Sequence, residues 1–178
     1  MRKVAVAVCG LLSSLLVSVA LADAPEQSIA QTITIDAPPD AVWAVAGDFV
    51  GLPRWYAPIE SSRLVLGQNN VVGAIRQLTR RNGTKVTERL IDYDPLNHRL
   101  EYTYADGQVM SSDYFAVLEV KDAGNGKSLV EWKARFKRLE YWTDDPAGPA
   151  EAAISKALNA GYRAGLENLK KIVEGGAQ

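Results

Sequence analysis

Hydrophobic and polar positions follow two periods along this chain. From Ser28 to Asp36, Ile29, Gln31, Ile33 and Ile35 alternate with Ala30, Thr32 and Thr34, the period of two that predicts a strand. Ala37-Pro38-Pro39-Asp40 breaks it and opens a short helix from Ala41 to Ala46, closed by Gly47-Asp48-Phe49. A second short helical or looped piece, Gly51 to Ile59, holds Leu52, Trp55, Tyr56 and Pro58. Strand patterns then follow without helical ones between them: Ser62 to Leu66, Gly73 to Arg80, Thr84 to Tyr93, Arg99 to Tyr104, Val109 to Lys121 and Ser128 to Leu139. Turn residues such as Asn82-Gly83, Asp94-Pro95 and Gly124-Asn125-Gly126 separate them, so an antiparallel meander is expected.

The period then changes to that of a helix. From Pro149 to Val173, Ile154, Ala157, Leu158, Gly161, Tyr162, Gly165, Leu166, Leu169, Ile172 and Val173 form one stripe, with Arg163, Glu167 and Lys170 among the residues opposite. Ala157, Gly161 and Gly165 fall at spacings of four on that stripe. Each glycine costs about 1 kcal/mol against alanine in a helix interior, so the small residues imply either a closely approaching strand or a cavity lidded by the helix. The fold class that follows is α+β: a seven-stranded antiparallel sheet wrapped around a long C-terminal helix, with two short helices after the first strand.

Composition fits one domain. The 178 residues are 47% hydrophobic, and 20 basic against 21 acidic residues give a net charge of −1 with no basic patch, which excludes a nucleic-acid footprint. Arg2 and Lys3, the apolar run from Val4 to Val19 and the small residues of Ala20-Leu21-Ala22 have the layout of a secretory signal. A signal peptide over residues 1–22, cleaved near Ala22, and a single domain over 23–178 are therefore expected, with a periplasmic or secreted product and no membrane association after cleavage. Cys9, the only cysteine, would leave with the signal.

Candidate chemistry is sparse. His98 is the only histidine and sits in a turn, Asp144-Asp145 suits a helix cap better than a calcium site, and neither a metal nor a cofactor is expected. No Gly-x-Ser-x-Gly turn or glycine-rich phosphate loop is present. Charged residues on strand faces remain. Glu88 shares a face with Val86 and Leu90, which directs it inward or to an arginine across the sheet. On the last strand, alternation makes Val130, Trp132, Ala134 and Phe136 the core face and turns Glu131 and Lys133 to solvent.

Strand, two helices, six strands and a long helix, with Ala37-Pro38-Pro39-Asp40-Ala41-Val42-Trp43, Gly47-Asp48-Phe49, Trp55, Gly73, Arg76, Gly83, Glu88-Arg89-Leu90, Asp94, Tyr114, Trp132 and Gly165 to Lys171, resembles the helix-grip superfamily. That superfamily (SRPBCC) joins Bet v 1, START-domain and polyketide cyclase/dehydrase proteins. Phe136, Arg138, Asp144-Asp145-Pro146 and Tyr162 to Leu166 are similar to MxaD-like periplasmic proteins of methanol oxidation. The resemblance implies a pocket faced by Tyr56, Pro58, Glu88, Tyr114, Ala116, Glu131, Ala157, Gly161 and Gly165, with Arg76 a further ligand-binding candidate. Tyr56 stands where hormone receptors of this superfamily carry a pocket lysine, which leaves Arg76 or Lys133 as its replacement. Alternation and resemblance disagree over Glu131, and the resemblance sets the expectation.

The function expected is a non-enzymatic protein holding a small apolar or amphipathic molecule, or assisting a periplasmic methanol dehydrogenase and its cytochrome c. The alternative is a cyclase or dehydratase using Glu88 with Tyr114 or Arg76.

Overall fold

The computed structural model describes residues 26–107, 111–138 and 151–176. The expected signal over residues 1–22 and the Asp144-Asp145 cap lie outside the described residues. Strand β1 (Gln27–Ile35) leads to α1 (Pro39–Ala46) and a 3-10 segment (Phe49–Arg54). The meander follows as β2 (Ile59–Leu66), β3 (Ile75–Arg80), β4 (Lys85–Asp94), β5 (Arg99–Gly107), β6 (Ser111–Gly124) and β7 (Lys127–Arg138), and the chain closes with α2 (Glu151–Gly175).

The seven strands lie in the order β1-β7-β6-β5-β4-β3-β2. Every neighbouring pair is antiparallel, and β1 joins β7 from Gln27 opposite Phe136 to Ile35 opposite Ser128. β1 and β2 are therefore the sheet's two edges. β2 begins at Ile59, three residues before the hydrophobic pattern suggested, because Ile59 is buried and Pro53 keeps the preceding piece to one short 3-10 segment. β2 also departs from regular register twice, between Ile59 and Ser61 and between Leu64 and Leu66.

α1 starts with Pro39 in its first turn, where a missing N–H costs nothing. It is capped by Gly47, whose N–H donates to the Trp43 carbonyl, and only glycine fits there because a Cβ would stand 2.4 Å from the Trp43 ring. The ring of His98 lies against Trp43 with centroids 5.7 Å apart, and its Nε2 is 2.8 Å from Asp40 Oδ1. This turn histidine is thus largely covered, with a side-chain exposure of 17%.

α2 crosses the sheet and is fastened at several points. Gln31 Nε2 donates to Asn159 Oδ1 at 2.8 Å, Lys170 Nζ to the Thr34 carbonyl at 2.8 Å, and the Asp36 N–H to Glu174 Oε1 at 2.8 Å. Asn168 Nδ2 donates to the Trp55 carbonyl at 3.0 Å, tying the helix to the chain that leaves the 3-10 segment. Ile154, Tyr162, Leu166, Leu169 and Val173 form its buried stripe.

The small residues of that stripe have two different neighbours. A Cβ on Gly165 would meet Tyr56 Cδ2 at 2.8 Å, Trp132 Cζ3 at 3.2 Å and Trp55 Cζ3 at 3.4 Å, so here the helix lies directly on aromatic rings. A Cβ on Gly161 would stand 2.7 Å from the Tyr56 hydroxyl, whereas Ala157, one turn earlier, is exposed at the cavity's edge. Close approach and clearance are thus both present, the approach being by aromatic side chains and not by a strand.

Alanine at Gly165 gains helix propensity but overpacks against three rings, so Gly165→Ala should lower stability by about 1 to 2 kcal/mol. Gly175 lies in the same helix with nothing within 4 Å, and Gly175→Ala should lose nothing. Urea unfolding of both variants checks the pair; equal midpoints would mean that the rings yield freely.

Candidate functional site

Between the sheet and the N-terminal half of α2 lies a cavity of about 700 Å³. Its inner wall comes from alternate residues of neighbouring strands: Leu78 on β3, Val86 and Glu88 on β4, Tyr102 and Tyr104 on β5, Tyr114 on β6 and Trp132 on β7. Leu52, Tyr56, Pro58 and Ile59 close one side, and Ile154, Ala157, Leu158, Gly161 and Tyr162 form the roof. The exposed members of the lining are Pro58, Asn82 and Ala157, which puts the mouth between the β3–β4 hairpin, the chain before β2 and the start of α2.

Aromatic rings dominate the wall. Trp132 stacks on Tyr162 with centroids 3.7 Å apart, and Tyr104 stacks on Tyr114 at 4.1 Å. Tyr56 meets Trp132 edge-on at 5.2 Å. The hydroxyls serve one another: Trp132 Nε1 donates to Tyr102 Oη at 2.9 Å, and the hydroxyls of Tyr114 and Tyr162 are hydrogen-bonded to each other. Burial pushes the phenols of Tyr102, Tyr104, Tyr114 and Tyr162 well above their ordinary range, and Glu88 adds to the rise at Tyr102 and Tyr104. Tyr56 is raised for the same two reasons, burial first and then the Glu88 charge, with Arg80 opposing.

Glu88 is the buried charge of this wall, at 5% exposure. It stands directly opposite Arg76 in the β3–β4 ladder; Arg76 Nε donates to its Oε2 at 2.8 Å, and Nη2 lies 2.6 Å from the same oxygen as an ion-pair contact. The guanidinium also donates to the Phe49 carbonyl through Nη1 and lies over the Phe49 ring, 4.2 Å from its centroid. A buried ion pair is tolerated only when both partners are satisfied in this way; removing one member of such a pair costs about 3 to 5 kcal/mol. Arg76 stays behind the carboxylate, beside Phe49 and Leu118 in a small recess, and does not reach the cavity.

Of the residues expected at the pocket, the structure brings Tyr56, Pro58, Glu88, Tyr114, Ala157 and Gly161 together around one space. Four lie elsewhere. Arg76 is behind Glu88, Ala116 is fully buried in the core opposite Tyr102, and Gly165 is covered by rings. Glu131 corrects the expectation drawn from the resemblance: it is on the outer face of β7, where its Oε2 is 2.9 Å from Lys133 Nζ and 3.8 Å from Lys121 Nζ. Lys133 lowers its carboxyl below the usual range. The physical reason is the strand's alternation, which gives the inner face to Trp132 and therefore the outer one to both neighbours, so Lys133 cannot supply a pocket cation either.

Sequence reasoning missed Tyr102, Tyr104, Arg80 and Thr84, and assigned Trp132 and Tyr162 to packing alone. A signal existed for the first two, since Tyr102 and Tyr104 are two apart on one strand and must share a face.

The raised phenols make a pH prediction. An unfolded chain releases these protons near the ordinary value of 10, whereas the fold retains them, so their contribution to stability is intact below pH 10 and is lost as pH rises beyond it. Spectrophotometric titration should show most of the seven tyrosines ionising only as the fold is lost. Ionisation of all of them near pH 10 with the circular dichroism spectrum unchanged would contradict the burial described.

Comparison with solved structures places the architecture among known ones. The XoxI protein from Bacillus cereus superposes with a TM-score of 0.71 at 24% identity, over 82% of this chain and 94% of that one. An uncharacterised protein from Bacillus thuringiensis gives 0.69 at 25% identity, over 83% and 98%. The ZhuI aromatase/cyclase of a Streptomyces species gives 0.73 at 17% identity, over 86% and 97%, a likeness of fold alone. No curated protein matches significantly. The sequence model of one family covers residues 26–174, from the first strand to the end of α2 and so the whole of the cavity wall. With the helix-grip architecture and the enclosed space beneath its helix, that match shows that the chain belongs to the polyketide cyclase / dehydrase and lipid transport family.

Proposed function

We propose that this chain, exported to the periplasm, holds a small, largely apolar molecule between its sheet and its long helix. The observation that carries the reading is the cavity itself: about 700 Å³, walled mainly by aromatic and aliphatic side chains, with Glu88, Arg80, Asn82, Thr84 and Ser111 as the non-aromatic polar lining. Ligand sites of this kind run from about 300 to 1,000 Å³ and combine an apolar lining with a few placed polar groups. A cavity of this size is costly to build, because its lining side chains forgo packing against one another. A binding role accounts for that cost.

Catalysis in the same cavity, a cyclase or dehydratase step using Glu88 with Tyr114 or Arg76, is the second reading. It draws on the carboxylate in the wall. It is the weaker of the two because the hydroxyl of Tyr114 is taken up by Tyr162, and Arg76 is engaged by Glu88 and Phe49 behind the wall.

The binding reading is tested with a neutral fluorescent probe such as N-phenyl-naphthylamine. Fluorescence should rise saturably with the wild-type protein. Ala157→Trp, which fills the mouth from an exposed helix position, should weaken binding at least about tenfold, a loss of roughly 1.4 kcal/mol, with an unchanged urea midpoint. Equal affinity for both proteins would remove the cavity as the binding place.

A finer proposal makes the protein an accessory of periplasmic methanol oxidation, supported by the likeness of Phe136, Arg138 and Tyr162 to Leu166 to MxaD-like proteins. It expects a quinoprotein dehydrogenase or its cytochrome c to be retained from a periplasmic extract by the immobilised protein; retention of neither counts against it.

A further inference from the structure

The polar groups of the cavity are not equivalent. A tyrosine hydroxyl can turn to donate or accept, so Tyr56, Tyr102, Tyr104, Tyr114 and Tyr162 set no direction for a ligand. A carboxylate only accepts. Glu88 is 95% removed from water, since its exposure is 5%, and it belongs to the cavity wall. The hydrogen bond from Arg76 Nε and the ion-pair contact of its Nη2 both fall on one oxygen, Oε2, from the recess beside Phe49 and Leu118. Among the described residues, Oε1 receives no donor.

We infer that the molecule held here carries a hydrogen-bond donor of the hydroxyl type at its inner end, received by Glu88 Oε1, with an apolar body against the rings. The inference rests on the binding reading above and adds the ligand's chemical class and orientation to it. A bare hydrocarbon would cover that oxygen and leave it without a partner, and an ether or a carboxylate would bring a second acceptor against it. A donor satisfies the carboxylate, and a hydroxyl is the donor that brings no charge of its own into an apolar wall. Arg76 holds Glu88 against turning away, so the acceptor is fixed before the ligand arrives.

Three probes of one shape separate these cases: hydroxypyrene, methoxypyrene and pyrene, titrated by fluorescence into the full-length wild-type protein. Hydrogen bonds to charged groups correspond to about a 10- to 100-fold preference, so hydroxypyrene should bind that much more tightly than methoxypyrene. Replacing the pair by apolar residues, Arg76→Met with Glu88→Leu, should abolish the preference while pyrene still binds. Glu88→Gln, which keeps the shape and removes the charge, should narrow it and serves where the double variant does not fold. If pyrene binds but hydroxypyrene binds no better than its ether, this inference is overturned and the binding reading stands. A preference undiminished in either variant also overturns it, since the donor is then received elsewhere. If none of the three binds, the binding reading fails and this inference fails with it.

Discussion

A helix with an apolar stripe placed above an apolar sheet should collapse onto it, and the cavity exists only because rings hold the two apart. Trp132 stands on the sheet, Tyr162 hangs from α2, and the two stack with centroids 3.7 Å apart. Trp55 meets Trp132 edge-on at 5.1 Å, and Tyr56 lies beneath Gly161 and Gly165. Toward its C-terminal end the helix rests on these rings; toward its N-terminal end it overhangs open space. Hydrogen bonds from Trp132 to Tyr102 and between Tyr114 and Tyr162 fix the rings in rotation. A network in which the polar tips are satisfied among themselves is rigid, and removing one tip would strand another in a dry place.

The buried ion pair gives the same space its floor. One guanidinium joins three pieces of backbone: β3 that carries it, β4 through Glu88, and the start of the 3-10 segment through the Phe49 carbonyl. The 3-10 segment in turn carries Leu52 and leads into Tyr56, both of them wall residues. Floor and side wall are therefore positioned by one cation, which also balances the charge it positions. The pair that sequence reasoning offered as a possible strand-to-strand tie is such a tie, and it is one face of the cavity as well.

Much of the fold could be read from the chain because its periods are clean. Alternation located all seven strands, the stripe located α2, and the proline and glycine breaks located α1. Errors fell where local pattern and tertiary contact compete. Ile59 reads as the end of a loop after Pro58 but is buried by pairing, and the 3-10 segment has no period long enough to show. The site was less legible, and unevenly so. Glu88 among apolar neighbours on its own face was visible, as were the small residues Ala157 and Gly161 that border the cavity. What each glycine meets was not, because Gly161 approaches Tyr56 alone and Gly165 approaches Tyr56, Trp132 and Trp55, all distant in sequence. Glu131 shows the reverse case, where the strand's own alternation was the better guide than a likeness between families.

The two margins of the sheet are finished differently, and this has a bearing on solubility. At the end of β1 the Thr34 carbonyl and, just beyond the strand, the Asp36 N–H are occupied by Lys170 and Glu174 of α2. β2 has no such cover from the helix, carries the exposed side chains of Val65 and Leu66, and would invite a strand from another molecule if it were straight. Its two breaks in register throw the row of free donors and acceptors out of line, so an incoming strand could match only a few residues before losing step. A helical clasp fastens one border, and the crookedness of the other limits how far a second strand could follow it.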